Sequence, residues 1–464
     1  MRDKISGILA VIIPVAGILM QGCYFEFQAS ILLILFALLI FFTDVLLSKR
    51  SLILFLVIMV GFLLSGSVVN GFFEITKLSF VILPSFIANK NIKNRLITGL
   101  YTGCSISSVL GIAGFLFKIY SFDIVRNIDN NIVVQGLIGY ANTMAVFCGI
   151  GLLLSFYYLK NNKNVGFLHE LLVAINALCL FFTGSRLGIA ALILSFIIFV
   201  AVKYKKPYIL AFLLAPILLL PFVYDKVNIG STLAWRFIYW YDGLMLFFKN
   251  PMGIGAYKWQ ELEYSVQTAG YSVKYLHNGF LQMALDGGFF ALFGFLILIT
   301  TGLFSLMKKY ALYMAAVLFI AVHGAVDIDF AYGAIFLALG IFLSFSDEGG
   351  FKLNKYPVIV IMLLLSLNGF IFRPNISVLS YSNEFSKAYS NNDYQKMHEI
   401  SKEWLKAAPR QQSAYDAYYL SVTALKKEDE ISELYKTVDR INNSMNFFTK
   451  YLSQHSKIIL PKEK

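Results

Sequence analysis

Apolar runs about 20 residues long recur from Ile5 almost to Phe372, and they restrict the possible folds more than any other feature. A helix of that length crosses the hydrocarbon core of a lipid bilayer. Hydrophobic residues make up 58% of the chain and charged residues 14%, with a mean hydropathy of +0.69, which is far from the balance of a soluble domain. The sequence therefore predicts an all-α fold, a polytopic bundle of transmembrane helices in the cell membrane.

The bounds of the predicted helices follow from where each apolar run begins and ends, and they give about thirteen spans. The spans lie near 5–22, 28–47, 51–69, 71–88, 95–117, 138–159, 166–183, 187–202, 207–223, 286–306, 310–327, 330–345 and 357–372. A polar, aromatic-rich segment, 224–286, separates the ninth span from the tenth. So large an insertion in a chain otherwise suited to lipid is the first candidate for a functional loop.

Lys and Arg residues are concentrated in every second connection between the predicted spans. They are Arg2, Lys4, Lys49, Arg50, Lys90, Lys93, Arg95, Lys160, Lys163, Lys203, Lys205, Lys206, Lys308, Lys309, Lys352 and Lys355. Because short basic loops stay in the cytoplasm, we expect the N-terminus inside, and segment 224–286 and the C-terminal tail outside. Much of the net charge of +12 is then a topology signal, and nucleic acid is not an expected partner.

The four cysteines lie in or beside apolar runs, and none lies in segment 224–286 or in the tail. They are Cys23, Cys104, Cys148 and Cys179. Neither a disulfide framework nor a cysteine metal site is expected, and the four thiols are interpreted as small core side chains. The sequence also lacks a zinc-binding HExxH pattern, an aspartate-rich diphosphate motif and the Lys-Ser/Thr end of a nucleotide P-loop. We therefore predict neither a bound metal nor another cofactor.

Several short patterns occur in a particular order in the second quarter and the middle of the chain. They are GYANTMA at 139–145, TGSRLG at 183–188, Arg236 ahead of NPMGIG at 250–255, and His277-Asn278 followed by Gly288. Each pattern is weak alone, but their order and their positions at the outer ends of spans make the set specific. Over roughly 132–345 the chain resembles the O-antigen ligase and polymerase superfamily. It departs from some ligases three positions after Gly288, where this chain has Ala291, and its tail is not general to the family.

The resemblance implies a membrane glycosyltransferase of surface polysaccharide biosynthesis. Such an enzyme moves an oligo- or polysaccharide from an undecaprenyl diphosphate carrier to an acceptor hydroxyl at the outer face of the cytoplasmic membrane. The implied partners are this polyprenyl-diphosphate-linked donor and a glycan, lipid or protein acceptor, and the reaction is expected to need no metal. Polymerisation of repeat units and ligation of a finished chain both agree with the sequence.

Two arginines suit the diphosphate of such a donor, because guanidinium groups bind phosphate oxygens in pairs and stabilise developing negative charge. Arg186 follows Thr183-Gly184-Ser185 between two closely spaced spans. Arg236 lies among aromatic residues in segment 224–286. The alternative for both is an interfacial arginine that contacts lipid headgroups.

His277 is the predicted catalytic base, since an imidazole can take the proton of an acceptor hydroxyl at neutral pH. It lies where the polar segment returns to the tenth span, next to Asn278, which is expected to bind substrate or orient the ring. Tyr140 and Asn142, at the outer start of the sixth span, are expected to bind sugar or phosphate. Alone, a loop histidine is more often an ordinary surface residue, and the ordered motif set favours catalysis.

Two groups of ionisable residues lie within predicted spans. His323, with Asp327 and Asp329 about one and two turns later, is predicted to contact substrate, and a structural His-Asp pair is the alternative. Glu74 and Lys77 are spaced to pair on one helix face. That pair is interpreted as structural or as a polar lining for sugar.

After Arg373-Pro374 the composition becomes polar and apolar residues take helical spacing, which predicts a membrane domain, 1–372, and a soluble tail, 373–464. Short helices are expected near 381–390, 393–407, 411–426, 428–443 and 445–456. Pairs of this length are typical of tetratricopeptide-type hairpins. The tail is interpreted as a capping or assembly domain, or as a surface that guides the acceptor or a protein partner.

Two other classes of protein also fit a polytopic membrane chain. A transporter or flippase of lipid-linked glycan would carry internal repeats and charged sites near the midplane. A non-catalytic assembly protein would act through its tail. The gathering of polar candidates at one outer face favours the enzyme.

Overall fold

The computed structural model describes residues 2–66, 68–128, 131–161, 166–209, 230–269, 271, 273–346, 350–371, 374–407 and 412–441. Helices make up most of these residues, which confirms the all-α fold. The helices of the membrane domain are α1 (Arg2–Leu19), α2 (Glu26–Phe42), α3 (Lys49–Leu64), α4 (Val68–Ile82), α5 (Lys90–Phe117), α6 (Ala141–Asn161), α7 (Phe167–Phe182), α8 (Arg186–Tyr204), α9 (Gly230–Lys249), α10 (Trp259–Leu262), α11 (Gly279–Lys309), α12 (Ala311–Gly324), α13 (Gly333–Leu343) and α14 (Lys355–Ile371). Four strands of two to four residues are β1 (Leu46–Leu47), β2 (Val125–Ile128), β3 (Asn131–Val134) and β4 (Phe351–Lys352).

Helices occupy the predicted spans in the described part of the chain, and the ninth, 207–223, lies mostly outside it. Three of the described helices, α5, α8 and α11, are long and apolar enough to cross a membrane by length and composition, and several shorter ones are also apolar. Large apolar side chains such as Ile53 and Leu364 are 59% and 61% exposed on the outside of the bundle. The chain is a membrane protein, whereas the number of crossings stays a prediction.

Helix α11 begins seven residues before the predicted start of the tenth span at 286, so the polar segment is shorter than expected. Asn278 explains the earlier start, because its side-chain oxygen accepts the backbone N–H of Leu281 at 3.0 Å and caps the helix. Continuous apolarity marks where lipid begins, whereas a cap marks where the helix begins.

Helix α11 is broken at Gly288, whose φ of +70° interrupts the regular hydrogen bonds. The NPMGIG segment supplies the missing partners: Ile254 N–H donates to Leu285 at 2.7 Å, and Phe289 N–H donates to the Pro251 carbonyl at 2.9 Å. A Cβ on Gly253 would lie 2.6 Å from the nitrogen of Gly288, so only glycine allows this approach. The motif thus fastens the polar segment to the membrane domain.

Close helix packing also depends on small residues, as is usual in membranes. A Cβ on Gly61 in α3 would lie 2.3 Å from the Gly287 carbonyl oxygen in α11, and a Cβ on Gly99 in α5 would lie 2.4 Å from the Val11 carbonyl oxygen in α1. Neither backbone contact tolerates a side chain. The first contact sets the position of α11, which carries the residues after His277, and the second sets the position of α5 against α1.

The connections between helices gather at two ends of the bundle. At one end β1 pairs with β4, Val45 bridges Ile87, and Lys93 Nζ donates to the Ser344 carbonyl at 2.9 Å. This end holds basic connections of the sequence pattern. The opposite end, called the site end below, contains the connections 20–25, 118–140, 250–278 and 325–332. The orientation of these ends in the membrane stays a prediction.

The tail forms successive antiparallel helices around small apolar cores. They are α15 (Pro374–Ser390), α16 (Tyr394–Ala407), α17 (Gln412–Ala424) and α18 (Glu428–Ile441). One core contains Phe385, Met397 and Trp404. The helix expected near 445–456 lies outside the described residues, and the likeness to tetratricopeptide hairpins stays a prediction.

Candidate active site

Asp327 is the centre of the polar group at the site end. Its fully buried carboxylate accepts four hydrogen bonds from three separate parts of the chain. The donors are Tyr140 Oη at 2.8 Å, Asn142 Nδ2 at 2.7 Å, Arg236 Nη2 at 2.8 Å and the backbone N–H of Ile328 at 2.8 Å. A buried carboxylate with so many donors is both charge-compensated and rigid.

Arg236 approaches Asp327 from helix α9. Its guanidinium donates to the Val326 carbonyl at 2.6 Å as well as to the Asp327 carboxylate, and the residue is only 5% exposed. The side chain therefore points into the protein and holds the connection between α12 and α13 against α9. The interfacial orientation considered for Arg236 is absent, and its contact with a diphosphate stays a prediction.

Tyr140 and Asn142 meet at the start of helix α6, as their spacing suggests. Asn142 Nδ2 also donates to the Tyr140 hydroxyl at 3.2 Å, so the two side chains and Asp327 form one network. The left-handed turn at Gly139, with φ of +73°, brings Tyr140 into this position. The motif GYANTMA predicts both residues at the site, but their partner Asp327 lies 187 residues further along the chain than Tyr140.

The His277 imidazole lies beside the same carboxylate, with Nδ1 3.6 Å from Asp327 Oδ1 and the side chain 25% exposed. Trp240 Nε1 donates to the Leu276 and His277 carbonyls at 3.1 and 3.2 Å, which anchors the backbone there. His277 has a φ of +52°, a conformation that costs energy for a residue with a Cβ. The group next to the ring is thus Asp327, whereas Asn278 caps α11 and its contact with substrate stays a prediction.

Asp327 lies beyond the last residue of α12, in the connection to α13. Burial by itself would raise the pKa of this carboxyl group, but the nearby His277 and Arg236 outweigh burial and lower it. The carboxylate is therefore ionised at neutral pH. The Asp327 carboxylate beside Nδ1 orients the imidazole and holds its tautomer.

His323, inside α12, belongs to a second polar group, which is separate from the group around Asp327. Its Nδ1 lies 2.5 Å from Asp329 Oδ2, and Thr143 Oγ1 donates to Asp329 Oδ1 at 2.9 Å. His323 and Asp329 are fully buried, so the partner of His323 is Asp329 and not Asp327. This geometry favours the structural alternative, and a substrate contact of His323 stays a prediction.

Arg186 lies in the first turn of α8, exposed at the site end. Ser185 caps this helix by accepting the Gly188 N–H at 3.2 Å, and a Cβ on Gly188 would contact Ala145 in α6. Among the described residues no hydrogen bond or ion pair joins Arg186 to Asp327 or His277. Its guanidinium is the more accessible of the two predicted diphosphate ligands.

Two cavities meet at His277. The larger, about 370 Å³, opens at the site end and is lined by Gln21, Tyr24, Phe25, Asp123, Ile138, Gly139, Tyr140, Val273, Lys274, Tyr275, His277, Ile328 and Tyr332. The smaller, about 30 Å³, lies on the inner side of the ring and is lined in part by Glu74, Asn278, Gln282 and Asp286. The imidazole thus separates an open cavity from a space that holds about one water.

Glu74 and Lys77 pair on α4, with Nζ 3.1 Å from Oε1. Lys77 is 1% exposed and also donates to the Tyr257 hydroxyl at 2.9 Å, whereas Glu74 faces the smaller cavity. The structural interpretation of this pair therefore applies to Lys77, and the interpretation as a polar lining applies to Glu74. Lys77 joins α4 to the polar segment, and Glu74 contributes a polar wall near His277.

Replacement of Glu74 by Gln is expected to destabilise the protein by about 3 kcal/mol, because it removes the charged partner of a buried ammonium group. The free energy of unfolding of the purified protein in detergent measures this. Glu170→Gln, at the exposed start of α7, is the control and should have no effect. Combining Glu74→Gln with Lys77→Met should restore much of the loss, and an unchanged single variant would contradict the assignment.

Within the described ranges, no three His, Cys, Asp or Glu side chains are grouped so that they could hold a metal ion. All four cysteines are buried free thiols, as the sequence analysis expects. Metal independence stays a prediction.

Comparison with known proteins adds a separate observation. Residues 171–296 match the family model described as O-antigen ligase. Arg186, Arg236 and His277 lie inside this segment, whereas Tyr140 and Asp327 lie outside it. No curated protein matches the chain. The match over residues 171–296 supports the resemblance to the O-antigen ligase and polymerase superfamily and a role in glycan processing, and the apolar helices identify the chain as a membrane protein.

Proposed function

We propose that this protein transfers a glycan from undecaprenyl diphosphate to an acceptor hydroxyl at the outer face of the cytoplasmic membrane. The observation that carries the proposal is the His277 imidazole, placed between an open cavity and the ionised Asp327 carboxylate. The family match over residues 171–296 supports the same class of reaction.

The residues suit an inverting displacement at the anomeric carbon. With its proton on Nδ1, facing Asp327, His277 keeps a lone pair on Nε2 to accept the proton of the acceptor hydroxyl. The hydroxyl oxygen forms a bond to the anomeric carbon as the bond from that carbon to the diphosphate oxygen breaks. The electron pair leaves with the diphosphate, and Asp327 stabilises the imidazolium that results.

The departing diphosphate needs fixed positive charge close to the membrane surface. Arg186 has an exposed guanidinium that can make paired contacts with phosphate oxygens, and we assign it this role. Arg236 is already engaged by Asp327 and the Val326 carbonyl. In this scheme Arg236 chiefly positions the Asp327 carboxylate beside His277, and its positive charge adds to the electrostatic potential at the site.

The division of the chain follows from this assignment. Residues 1–372 hold the reacting groups, and residues 373–464 form an extracytoplasmic tail that caps the enzyme, joins an assembly or guides the acceptor. The N-terminus lies in the cytoplasm, in agreement with the basic connections at the end opposite the site.

Deletion of the gene is expected to stop the transfer step, and mass analysis of carrier-bound and surface glycans measures this. Accumulation of single carrier-bound repeat units would identify a polymerase, and accumulation of long carrier-bound chains would identify a ligase. The accumulated glycan should be open to a glycosidase added outside intact spheroplasts. Protection from that glycosidase would indicate a flippase instead, and an unchanged surface glycan would refute the proposal.

A further inference from the structure

We propose that the 370 Å³ cavity beside His277 is a subsite for one neutral pyranose ring of the glycan, which stacks on Tyr24. This inference rests on the proposed function and adds the part of the substrate that the cavity recognises. It assigns recognition to Tyr24, Tyr275 and Tyr332, which no motif singles out.

The size of the cavity agrees with one sugar residue. A water molecule occupies about 30 Å³ of liquid, so the cavity has the volume of roughly twelve waters. A hexose has a similar number of non-hydrogen atoms, which take up less space than that many waters because they are covalently bonded, so the cavity has room for one ring and the water around it. With His277 in its wall, the cavity places such a ring within reach of the proposed base.

Three tyrosines from distant parts of the chain form an aromatic wall. The Tyr24 ring centroid lies 5.2 Å from that of Tyr332, with 43° between the planes, and 6.4 Å from that of Tyr275, at 77°. A pyranose presents one apolar C–H face and a polar edge of hydroxyl groups. Tyrosine is complementary to both, since it combines a broad apolar ring with a hydroxyl group.

The remaining wall supplies hydrogen-bonding groups and little net charge. Gln21 is held in place by Gln28, whose Nε2 donates to its side-chain oxygen at 2.9 Å. The Lys274 ammonium lies 4.9 Å from the Tyr24 ring centroid, and Asp123 lines the same cavity. A cation and an anion in one wall offer donors and acceptors to sugar hydroxyl groups, which favours a neutral ring over an acidic one.

Backbone strain provides an independent observation. Gln21, Asp123 and His277 have φ values of +49°, +53° and +52°, and all three line this cavity although they lie in separate connections. Residues with a Cβ rarely adopt this region, and such strain collects at ligand sites. Among the other non-glycine residues with positive φ, Lys118 and Lys205 end helices, where the conformation is common, and Cys23 lies in the same turn as Gln21. The rest lie in turns that do not line this cavity: Tyr257, Asn392 and Lys426. The convergence of three strained segments on one cavity indicates a site shaped for a ligand.

Native mass spectrometry of the purified full-length protein tests the subsite. The protein is mixed with polyprenyl-linked glycan extracted from the membranes of its own source, and separately with bare undecaprenyl diphosphate. Tyr24→Leu is expected to lower the ratio of glycan-carrier binding to bare-carrier binding about tenfold, whereas Tyr24→Phe, which keeps the ring, should stay within about twofold. Tyr120→Leu, an exposed tyrosine outside the cavity, should match the parent protein.

The outcomes separate this inference from the proposed function. If the parent protein binds neither form of the carrier, the proposed function fails. If the parent prefers the glycan-carrier and Tyr24→Leu keeps that preference, the subsite is refuted and the function stands. Binding of bare carrier shows that a variant is folded. Lys274→Met removes a hydrogen-bond donor from the same wall and should lower the ratio of glycan-carrier to bare-carrier binding about threefold. This variant provides a second test if Tyr24→Leu does not fold.

Discussion

Replacement of His277 by Ala is expected to lower the rate of glycan transfer about 10³-fold, which is typical for loss of a general base. The acceptor hydroxyl would then lose its proton only to water, although the cavity and the arginines would still bind the donor. The measurement is transfer of membrane-extracted carrier-linked glycan by the purified protein. Because the imidazole is partly exposed and makes no hydrogen bond to a side chain within the described residues, the variant should fold normally.

His169 offers a matched control for the His277 variant. It contacts the Tyr101 hydroxyl at 3.0 Å near the start of α7, remote from Asp327 along the bundle. His169→Ala should therefore keep the parent rate of transfer. A His277→Ala variant with a rate near that of the parent protein would refute the assignment of the base.

Replacement of Arg236 by Ala is expected to lower transfer about 10²-fold and to cost about 3 kcal/mol in the free energy of unfolding. Asp327 would remain buried and charged without its cation, and the connection 325–332 would lose the guanidinium that anchors Val326. Arg236→Lys should not restore the activity, because a single ammonium group cannot reproduce both contacts of the planar guanidinium. Transfer assays and unfolding in detergent measure the two effects.

Two further variants distinguish the contribution of Arg236 to stability from the contribution of the arginines to transfer. Adding Asp327→Asn to Arg236→Ala should recover part of the lost stability, since no unpaired charge is left, but should not recover transfer. Arg186→Ala should lower transfer and leave stability near that of the parent, because its side chain is exposed at the start of α8. If Arg236→Ala keeps both stability and activity, the proposed arrangement around Asp327 is wrong.

Much of the candidate site follows from positions along the chain. The ordered motifs single out Tyr140, Asn142, Arg236 and His277, and the structure brings these four around one carboxylate. Spacing along one helix predicts Asp327 at the site, but with His323 as its neighbour. The chain bends after Gly324, and this turn directs Asp327 toward His277 while Asp329 pairs with His323.

The aromatic wall could not be predicted in the same way. Tyr24, Tyr275 and Tyr332 each resemble ordinary interfacial tyrosines when they are considered in sequence. Their meeting depends on the left-handed turn at 21–23, where a Cβ on Gly22 would lie 2.9 Å from the Tyr332 ring. A chain with 27 tyrosines offers no local signal that separates these three from the rest.

The amino-acid sequence by itself determined the helices and the assignment to membrane proteins. Hydrophobicity over about 20 residues is a local property, and a lipid bilayer directly stabilises a helix of that kind. Motifs that lie in order also indicated the resemblance to the O-antigen ligase and polymerase superfamily, which the match over residues 171–296 supports. Only the tertiary structure decided which aspartate lies beside which histidine and which residues line the cavity at His277. Those contacts join residues as far apart in the chain as Tyr24 and Tyr332, and they depend on helix packing and strained turns that no short stretch of sequence specifies.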